Sequence, residues 1–406
     1  MFSPSGNYWK AGLVPQAIAN GLSSILVLIF LISSLRGSLL DVGLVAGISA
    51  LALIPSQMVW GRLIDNFGRC KPFLVLGFTG MGVSIAAISS VGSVSLLLLL
   101  ICLKSMLYAA TLPARQLLAV ESEHHSGWRQ GIANMQFLTG LGETIGMGIG
   151  GVAVSTVGYT QLFLFCGALC VFSALATVVL AHEPGIMIQR RLVTLSRATS
   201  NLATVSEFLA SPRRYSQDHA DRIIRQLDPS THLLMLGILG FTLAGSALFS
   251  PLPAYFLQFF PSSTVFLLFF GGSLTGTICY LIVGRMTQSP GRSLSVAALM
   301  RMVATPLLLL SALGATPGII LGVVVLSILE GFWSLFDVTS TYAFLETSRI
   351  GRAGFYGAII GLGSAVGGLL GGAFSMQFGF GALFTFCSVV CGGSLVSFAM
   401  QFRGRH

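Results

Sequence analysis

The chain of 406 residues is 54% hydrophobic and only 9% charged. Because soluble domains carry about 25% charged residues, this composition excludes an ordinary soluble protein. The formal net charge is +9, from 22 Lys and Arg against 13 Asp and Glu. We therefore expect an integral membrane protein.

Twelve apolar segments follow one another along the chain, each close to the length of about 20 residues that crosses a bilayer as a helix. The residues before the first segment lack the basic start of a signal peptide, so that segment is interpreted as a helix of the mature protein. We number the segments span 1 to span 12, and they are residues 11–34, 38–60, 73–91, 94–117, 130–154, 160–182, 232–257, 262–284, 294–313, 317–343, 354–376 and 380–402. The predicted fold is all-α, with twelve transmembrane helices.

The basic residues outside the spans fall on one side of this layout, which we call the basic side. Arg62 and Arg69 follow span 2, Arg285 and Arg292 follow span 8, and only Arg36 lies in a loop of the opposite side. Cytoplasmic loops carry an excess of Lys and Arg. We therefore expect both termini to be cytoplasmic, in a plasma or inner membrane. Topology then accounts for the net charge, and no nucleic-acid partner is expected.

A single long polar segment divides the chain. It separates six spans from six, so we expect an N-terminal bundle at 1–183, a linker at 184–231 and a C-terminal bundle at 232–406. Apolar and basic residues intermingle from Ile186 to Arg197, as in an amphipathic helix at a membrane surface. A partly ordered linker that ties the two bundles is an equal alternative.

The two halves are related by an internal repeat. The repeat is carried mainly by glycines of spans 5 and 6, which recur in spans 11 and 12. A shift of 221 positions places Gly140, Gly142, Gly146, Gly150, Gly151 and Gly158 on Gly361, Gly363, Gly367, Gly371, Gly372 and Gly379.

A short basic glycine loop occurs once in each half. The first is GRLIDNFGRCK, from Gly61 to Lys71, and the weaker copy is GRMTQSPGR, from Gly284 to Arg292. The first resembles the pattern G-x-L-x-D-x-x-G-R of the major facilitator superfamily of secondary transporters. The resemblance implies two pseudo-symmetric six-helix bundles that move a small solute by alternating access.

The resemblance also implies gating roles for four loop residues, which are Gly61, Asp65, Gly68 and Arg69. Gly61 would permit a close helix approach and Gly68 a tight turn. Asp65 would face the start of span 11, near residues 352–355, where the helix dipole favours a carboxylate. Because Gln288 replaces the acid in the second copy, this latch is expected on one side only. In the alternative, the loop merely anchors helices at the interface.

Span 5 carries a second resemblance. Its pattern Gly142-x-x-x-Gly146-Met147-x-x-Gly150-Gly151 is similar to the antiporter motif G-x-x-x-G-P-x-x-G-G, with Met147 in place of the proline. Small residues at this spacing let helix backbones pack closely. The resemblance implies efflux of a drug or metabolite in exchange for protons.

Ionisable residues within spans are costly and mark functional sites. One stripe on span 4 comprises Lys104, Tyr108, Thr111 and Arg115, and one on span 10 comprises Ser327, Glu330, Ser334, Asp337 and Thr341. In the family, spans 1, 4, 7 and 10 line the central cavity. The resemblance therefore places the two stripes opposite each other.

These stripes supply candidate roles. The candidate substrate-binding residues are Gln16, Asn20, Lys104, Tyr108, Ser246, Glu330 and Ser334. The polar residues of spans 1 and 7 could equally bond neighbouring helices, and Lys104 could pair with Glu143 or with Glu330. Arg115 and Asp337 lie nearer the basic side, where a gating role and a static interfacial role are both open. Arg301 on span 9 is interpreted as structural.

Glu143 is the first candidate proton carrier and Glu330 the second. Glu143 lies at mid-depth among glycines, where burial penalises the charged carboxylate. A facilitator without coupling would need only the polar cavity. The cysteines are interpreted as small packing residues, and we expect no disulfide framework, metal site or cofactor.

We expect a monomeric transporter in the lipid bilayer that carries a small molecule, with protons as the coupling ion, and no enzyme activity. Proton-coupled efflux of a drug or metabolite is the first hypothesis. Uptake, by a symporter or facilitator, of a zwitterionic or anionic solute is the second, since both charge signs would face the cavity. A membrane sensor or lipid scramblase on the same scaffold is the third.

Overall fold

The computed structural model describes residues 4–121, 128–181, 229–286, 289–313, 315–347 and 353–402. The predicted amphipathic helix of the linker, Gln288 and Arg352 lie outside these residues. The division into two bundles at the linker therefore stays a prediction.

The first half forms six spans. Span 1 is the helix Val14–Ser33, preceded by the 3₁₀ helix Pro4–Leu13; span 2 is Leu39–Phe67 and span 3 is Lys71–Ile88. Span 4 has two helices, Val94–Tyr108 and Thr111–Glu121, joined by a turn at residues 109–110. Span 5 is Trp128–Ala153 and span 6 is Tyr159–Leu180.

The second half repeats this order. Span 7 consists of Pro229–Phe249 and the short helix Leu252–Leu257, and span 8 is Ser262–Arg285. Span 9 is Pro290–Leu307, continued by the 3₁₀ helix Leu308–Leu313, and span 10 is Ala315–Thr347. Spans 11 and 12 form one helical run, Ala353–Phe402, which is interrupted at Gly379.

Ten of the described helical stretches are long and apolar enough to cross a membrane. The last, Tyr356–Phe402, has 47 residues and contains both span 11 and span 12. Span 5 is a further helix of 26 residues, rich in glycine. The twelve-helix prediction is confirmed.

Two glycines with positive φ set the ends of spans on either side of the membrane. Gly68 adopts φ 62° and ψ 30°, and its N–H donates to the Ile64 carbonyl at 2.8 Å. The tight turn expected at Gly68 is confirmed, but span 2 runs to Phe67, past the predicted end at residue 60, because nothing before Gly68 stops the helix. Gly379, with φ 78° and ψ 173°, separates spans 11 and 12. Residues with side chains rarely adopt such φ values.

Span 5 packs against span 1 through its glycines. A Cβ atom on Gly146 would overlap the Ile18 carbonyl and lie 2.8 Å from the Leu22 nitrogen. On the facing helix, a Cβ on Gly21 would overlap the backbone of Glu143. The two backbones are therefore in direct contact, as predicted from the glycine spacing.

The opposite face of span 5 packs against span 8 of the other half. Gly148 lies against the Phe270 ring, and Thr144 shares hydrogen bonds with Ser273 at 2.8 Å and with Thr277 at 3.1 Å. Span 5 thus packs closely against span 1 of its own half and against span 8 of the other half, with small residues on both faces.

Span 11 repeats this arrangement with its own neighbours. Gly363 and Gly367 face the backbone of span 7, whereas Gly368 and Gly372 face span 2. A Cβ on Gly372 would lie 2.7 Å from the Cα of Gly43. The sequence repeat is therefore also a repeat of helix contacts.

The two halves share a large cluster of buried apolar side chains at one end of the molecule. On the opposite side, a single cluster includes Leu26 of span 1 with Leu252 and Phe256 of span 7. On the basic side, the described residues form one cluster in the first half and another in the second, to which Ala133 is the only contribution from the first half. Among the described residues, the halves thus share one large apolar cluster on the opposite side, whereas toward the basic side they meet between spans 5 and 8, where Gly284 lies against Ala133, and between spans 2 and 11, where Gly361 lies against Ile54.

The contact between spans 1 and 5 predicts the effect of a methyl group. Gly146→Ala should lower the stability of the folded protein by about 1–3 kcal/mol, because the added Cβ meets backbone that cannot move aside. Gly393→Ala on span 12 is a matched control, since no described atom lies within 4 Å of its Cβ position. The apparent melting temperatures of both variants in detergent provide the measurement. Equal melting temperatures would show that spans 1 and 5 have room between them.

Candidate functional site

Carboxyl groups gather where spans 1, 5, 8 and 10 meet. Glu143 of span 5 accepts a hydrogen bond from Asn20 Nδ2 of span 1 through Oε1, at 2.8 Å. The next residue of span 1, Gly21, packs on the backbone of Glu143, so the glycine contact fixes the carboxyl group beside Asn20. Two residues predicted from the sequence are thereby brought together.

Asp337 of span 10 bridges the two halves. Its Oδ2 accepts hydrogen bonds from Gln136 Nε2 of span 5 at 2.7 Å and from Tyr280 Oη of span 8 at 3.2 Å. Neither Gln136 nor Tyr280 was predicted from the sequence as a site residue. Gln136 precedes Glu143 by seven residues, two helical turns, and this spacing was the available signal.

Glu330 of span 10 is partly exposed and lies against two glycines of span 8. Its Cγ and Cβ would be 3.4 and 3.2 Å from Cβ atoms on Gly272 and Gly276, respectively. It is within Coulombic range of Glu143 and of Arg301. Glu143, Glu330 and Asp337, together with Tyr280, form what we call the central carboxyl cluster.

The two cations of span 4, Lys104 and Arg115, act on this cluster by electrostatic attraction at a distance. Lys104 is within Coulombic range of Glu143, but the direct hydrogen bond to that carboxyl group comes from Asn20. Arg115 Nη2 donates to Tyr108 Oη at 3.1 Å, with the guanidinium 5.6 Å from the ring centroid. The turn at residues 109–110 lets Arg115 fold back in this way.

The predicted gate pair is therefore not in direct contact in this structure. Arg115 is bound to Tyr108 and Asp337 to Gln136 and Tyr280, and Arg115 attracts Asp337 at Coulombic range. The observed hydrogen bonds of Asp337 match the static interfacial alternative.

Three further candidates bond neighbouring helices. Gln16 is 2% exposed, with Nε2 3.6 Å from Met81 Sδ of span 3. Ser246 donates to the Ser364 carbonyl of span 11 at 2.7 Å, and Ser334 donates to the Gly276 carbonyl of span 8 at 2.8 Å. The alternative raised for the polar residues of spans 1 and 7 is thus observed for Gln16 and Ser246.

Comparison with known proteins gives the family. Residues 12–353 match the Major Facilitator Superfamily. The chain belongs to the major facilitator superfamily. It is therefore a multi-pass membrane transport protein, and the resemblance seen in the sequence is confirmed.

Individual relatives add detail to this placement in the major facilitator superfamily. The chain is 28% identical to the multidrug efflux pump Tap of Mycolicibacterium fortuitum over 175 residues, which are 40% of this chain and 42% of that protein. The alignment thus spans less than half of Tap. The crystal structure of the nucleoside transporter NupG superposes with a TM-score of 0.63, 14% identity and coverage of 99% of this chain and 100% of that chain, and a variant of NupG gives 0.64. At that identity, NupG shows the fold alone.

The signature loop of the major facilitator superfamily is only partly described. Arg69 is exposed, and no described atom lies within 4 Å of the Cβ position of Gly61, so the close approach expected there is not made with the described residues. The side chain of Asp65, Arg352 and the side chains of residues 353–355, where its partners were expected, lie outside the described part. The latch stays a prediction.

The bridge made by Asp337 predicts a difference between two substitutions. Asp337→Ala should cost up to about 1–3 kcal/mol for each partly buried donor left unpaired, namely Gln136 Nε2 and Tyr280 Oη. Asp337→Asn keeps an acceptor oxygen for both donors and should cost less. The apparent melting temperatures of the purified variants test this. If Asn and Ala at this position destabilise equally, the charge and not the hydrogen-bond geometry is what matters.

Proposed function

We propose that this transporter exports a drug or small organic metabolite in exchange for protons. The observation that carries the proposal is the position of Glu143, hydrogen-bonded to Asn20 at the junction of spans 1 and 5 beside the other members of the central carboxyl cluster. Ionisable side chains within a bilayer are expensive and are retained where they relay protons or contact a solute.

The hydrogen bonding of Glu143 suits a carboxyl group that gains and loses a proton. Asn20 donates to Oε1, a bond that both the charged and the neutral carboxyl group can accept, so Oε2 is the oxygen left to carry the proton. Lys104 and Arg115 lie within Coulombic range of Glu143, and the direct hydrogen bond to its carboxyl group comes from Asn20.

Alternating access is supported by the packing of the halves. The apolar cluster shared on the opposite side, and the largely separate apolar clusters of the two halves on the basic side, support a transporter that is open toward the basic side. Closure there requires spans 5 and 8, and spans 2 and 11, to change their mutual tilt. The small residues on these interfaces leave few side chains to obstruct that movement.

Efflux of a drug or metabolite is favoured by two observations. The glycines of span 5 follow the antiporter pattern, and the relative Tap is a multidrug efflux pump. Within the proposed cavity, we assign solute contact to Asn20, Lys104, Tyr108 and Glu330. Gln16, Ser246 and Ser334 are occupied by bonds to neighbouring helices in the observed conformation.

Proton coupling predicts a specific effect of Glu143→Gln. Gln can still accept the hydrogen bond from Asn20, so the variant should insert and melt like the parent. The acceleration of ethidium transport by a pH gradient in proteoliposomes should be lost, because no proton leaves an amide. Glu143→Asp, which retains a carboxyl group, is the matched control and should keep part of the pH dependence.

Full pH dependence in Glu143→Gln would shift the role to Glu330. If the pH gradient does not change the rate of ethidium transport by the parent protein either, the result would favour a facilitator. Flux of ethidium into vesicles down the proton gradient would favour uptake.

The proposed latch predicts unequal effects in the two halves. Asp65→Asn should reduce transport far more than Gln288→Ala, because only the first loop carries a charge that a helix N-terminus can hold. Both variants should insert normally. The measurement is vesicle flux at matched protein density, and similar losses in the two variants would rule out a one-sided latch.

A further inference from the structure

Trp333 lies on the side of span 10 that faces the first half. It follows Glu330 by three residues and precedes Asp337 by four, so the three side chains are neighbours on one helix face. Asp337 reaches Gln136 of span 5, which fixes the direction of this face. Val324, which is 50% exposed, precedes Trp333 by nine residues, about two and a half helical turns, and so points the opposite way. The partly exposed ring of Trp333 therefore opens toward the space between the halves.

Two buried rings support Trp333 from inside the second half. Phe241 of span 7 lies nearly parallel to the indole, at an interplanar angle of 16° and a centroid distance of 6.1 Å. Phe336 lies 5.6 Å from the indole and stacks on Phe241 at 4.0 Å. Both phenylalanines are at most 1% exposed. A partly exposed ring thus rests on a closed apolar layer.

A buried cation completes this support. The guanidinium of Arg301, a residue that is 1% exposed, has its Cζ 5.2 Å from the ring centroid of Trp333, 4.7 Å from Phe241 and 5.3 Å from Phe249. Gly245 leaves room for it, since a Cβ there would lie 3.0 Å from Nη1. Nε and Nη1 are buried without a hydrogen-bond partner among the described residues, so attraction to ring faces acts in place of hydrogen bonds at these two atoms.

The indole N–H of Trp333 is not used in this packing. In Trp60, by comparison, the indole N–H donates to the Met106 carbonyl at 2.9 Å. That of Trp333 makes no hydrogen bond to a described residue and is not one of their buried unpaired atoms, so it is accessible. Buried tryptophans usually find a partner for this group. The N–H edge of Trp333 is therefore free of the surrounding protein, whereas its ring is held in place.

We propose that Trp333 is a solute-binding residue and that it makes this transporter prefer planar aromatic solutes. The inference rests on the proposed function and names the solute class. An aromatic solute that packs on a ring already held in place loses little side-chain freedom on binding. Glu330, one turn earlier on the same face, offers a carboxyl group to an amino group of that solute. Because the Arg301 cation already lies against the ring, a second cation gains little there, and the ring selects for aromatic surface.

Two substitutions of Trp333 test the inference through ethidium, a planar aromatic solute. Trp333→Leu should weaken ethidium binding to the purified protein by about tenfold, because the contact between rings is lost. Trp333→Phe keeps a ring and should stay within about twofold of the parent affinity. Failure of the parent to bind ethidium overturns the inference. So does parental affinity in Trp333→Leu, or an equal loss in the two variants.

A matched control removes an aromatic ring from a different surface. Phe172 of span 6 is 60% exposed, and Phe172→Leu should leave ethidium affinity unchanged. A loss in Phe172→Leu as large as that in Trp333→Leu would show a general effect of apolar surface and would contradict a specific role for Trp333.

Tryptophan fluorescence provides a second measurement, which decides the question even where Trp333→Leu does not fold. Ethidium bound against Trp333 should quench its fluorescence, and quenching falls steeply with distance. The chain has four tryptophans, so the contribution of Trp333 is the part that Trp333→Phe removes. Most of the quenching should disappear in Trp333→Phe at the same ethidium occupancy. Unchanged quenching would place the solute elsewhere and overturn the inference.

These binding measurements need no pH gradient, so they separate the inference from the proposed function. If Trp333→Leu binds ethidium like the parent while Glu143→Gln abolishes coupling, the inference fails and proton-coupled efflux stands. If Trp333→Leu weakens binding while a pH gradient has no effect on transport by the parent, the aromatic site stands and proton coupling fails.

Discussion

Direct contact between helix backbones is the constraint on which this structure depends. Within a bilayer, the burial of large apolar side chains between helices gains no hydrophobic free energy, because lipid is as apolar as the side chains. Helices therefore associate through close packing and hydrogen bonds. Gly21 and Gly146 allow the backbones of spans 1 and 5 to touch, and Gly367 does the same for spans 11 and 7. The position of Glu143 follows from this contact, because its own backbone is the surface on which Gly21 packs.

The sequence predicted this framework well because glycines carry their information in their spacing. The shift of 221 positions that relates Gly146 to Gly367 also relates their contacts with spans 1 and 7. The turn at Gly68 and the division of spans 11 and 12 were visible for the same reason, since both need glycine. Each of these glycine patterns lies within a short stretch of sequence, and each corresponds to one local structure: a turn at positive φ or a close helix contact.

The polar site was less predictable because hydrogen bonds across helices depend on their rotation. Glu143 was identified, but the partner observed is Asn20, at a distance that sequence spacing does not encode. For Asp337 the sequence left a gating role and a static interfacial role open, and it did not identify the observed partner, Gln136 of the other half.

The charges also break the symmetry that the glycines obey. Lys104 of span 4 lies near Cys166 and Cys170, and Arg301 of span 9 lies near Cys387 and Cys391. The two thiol pairs are related by the repeat, but spans 4 and 9 are not equivalent positions in it. Each half therefore carries an interior cation supplied by a different helix, and no rule of the repeat would have located the second from the first.

The connection at Gly379 has a mechanical consequence. Helix geometry resumes immediately on both sides of this one residue, so spans 11 and 12 are joined with almost no slack. A rotation of span 11 against span 2 must then be passed on to span 12 rather than absorbed by a loop. Spans 11 and 12 are therefore coupled directly through Gly379, with no flexible loop between them.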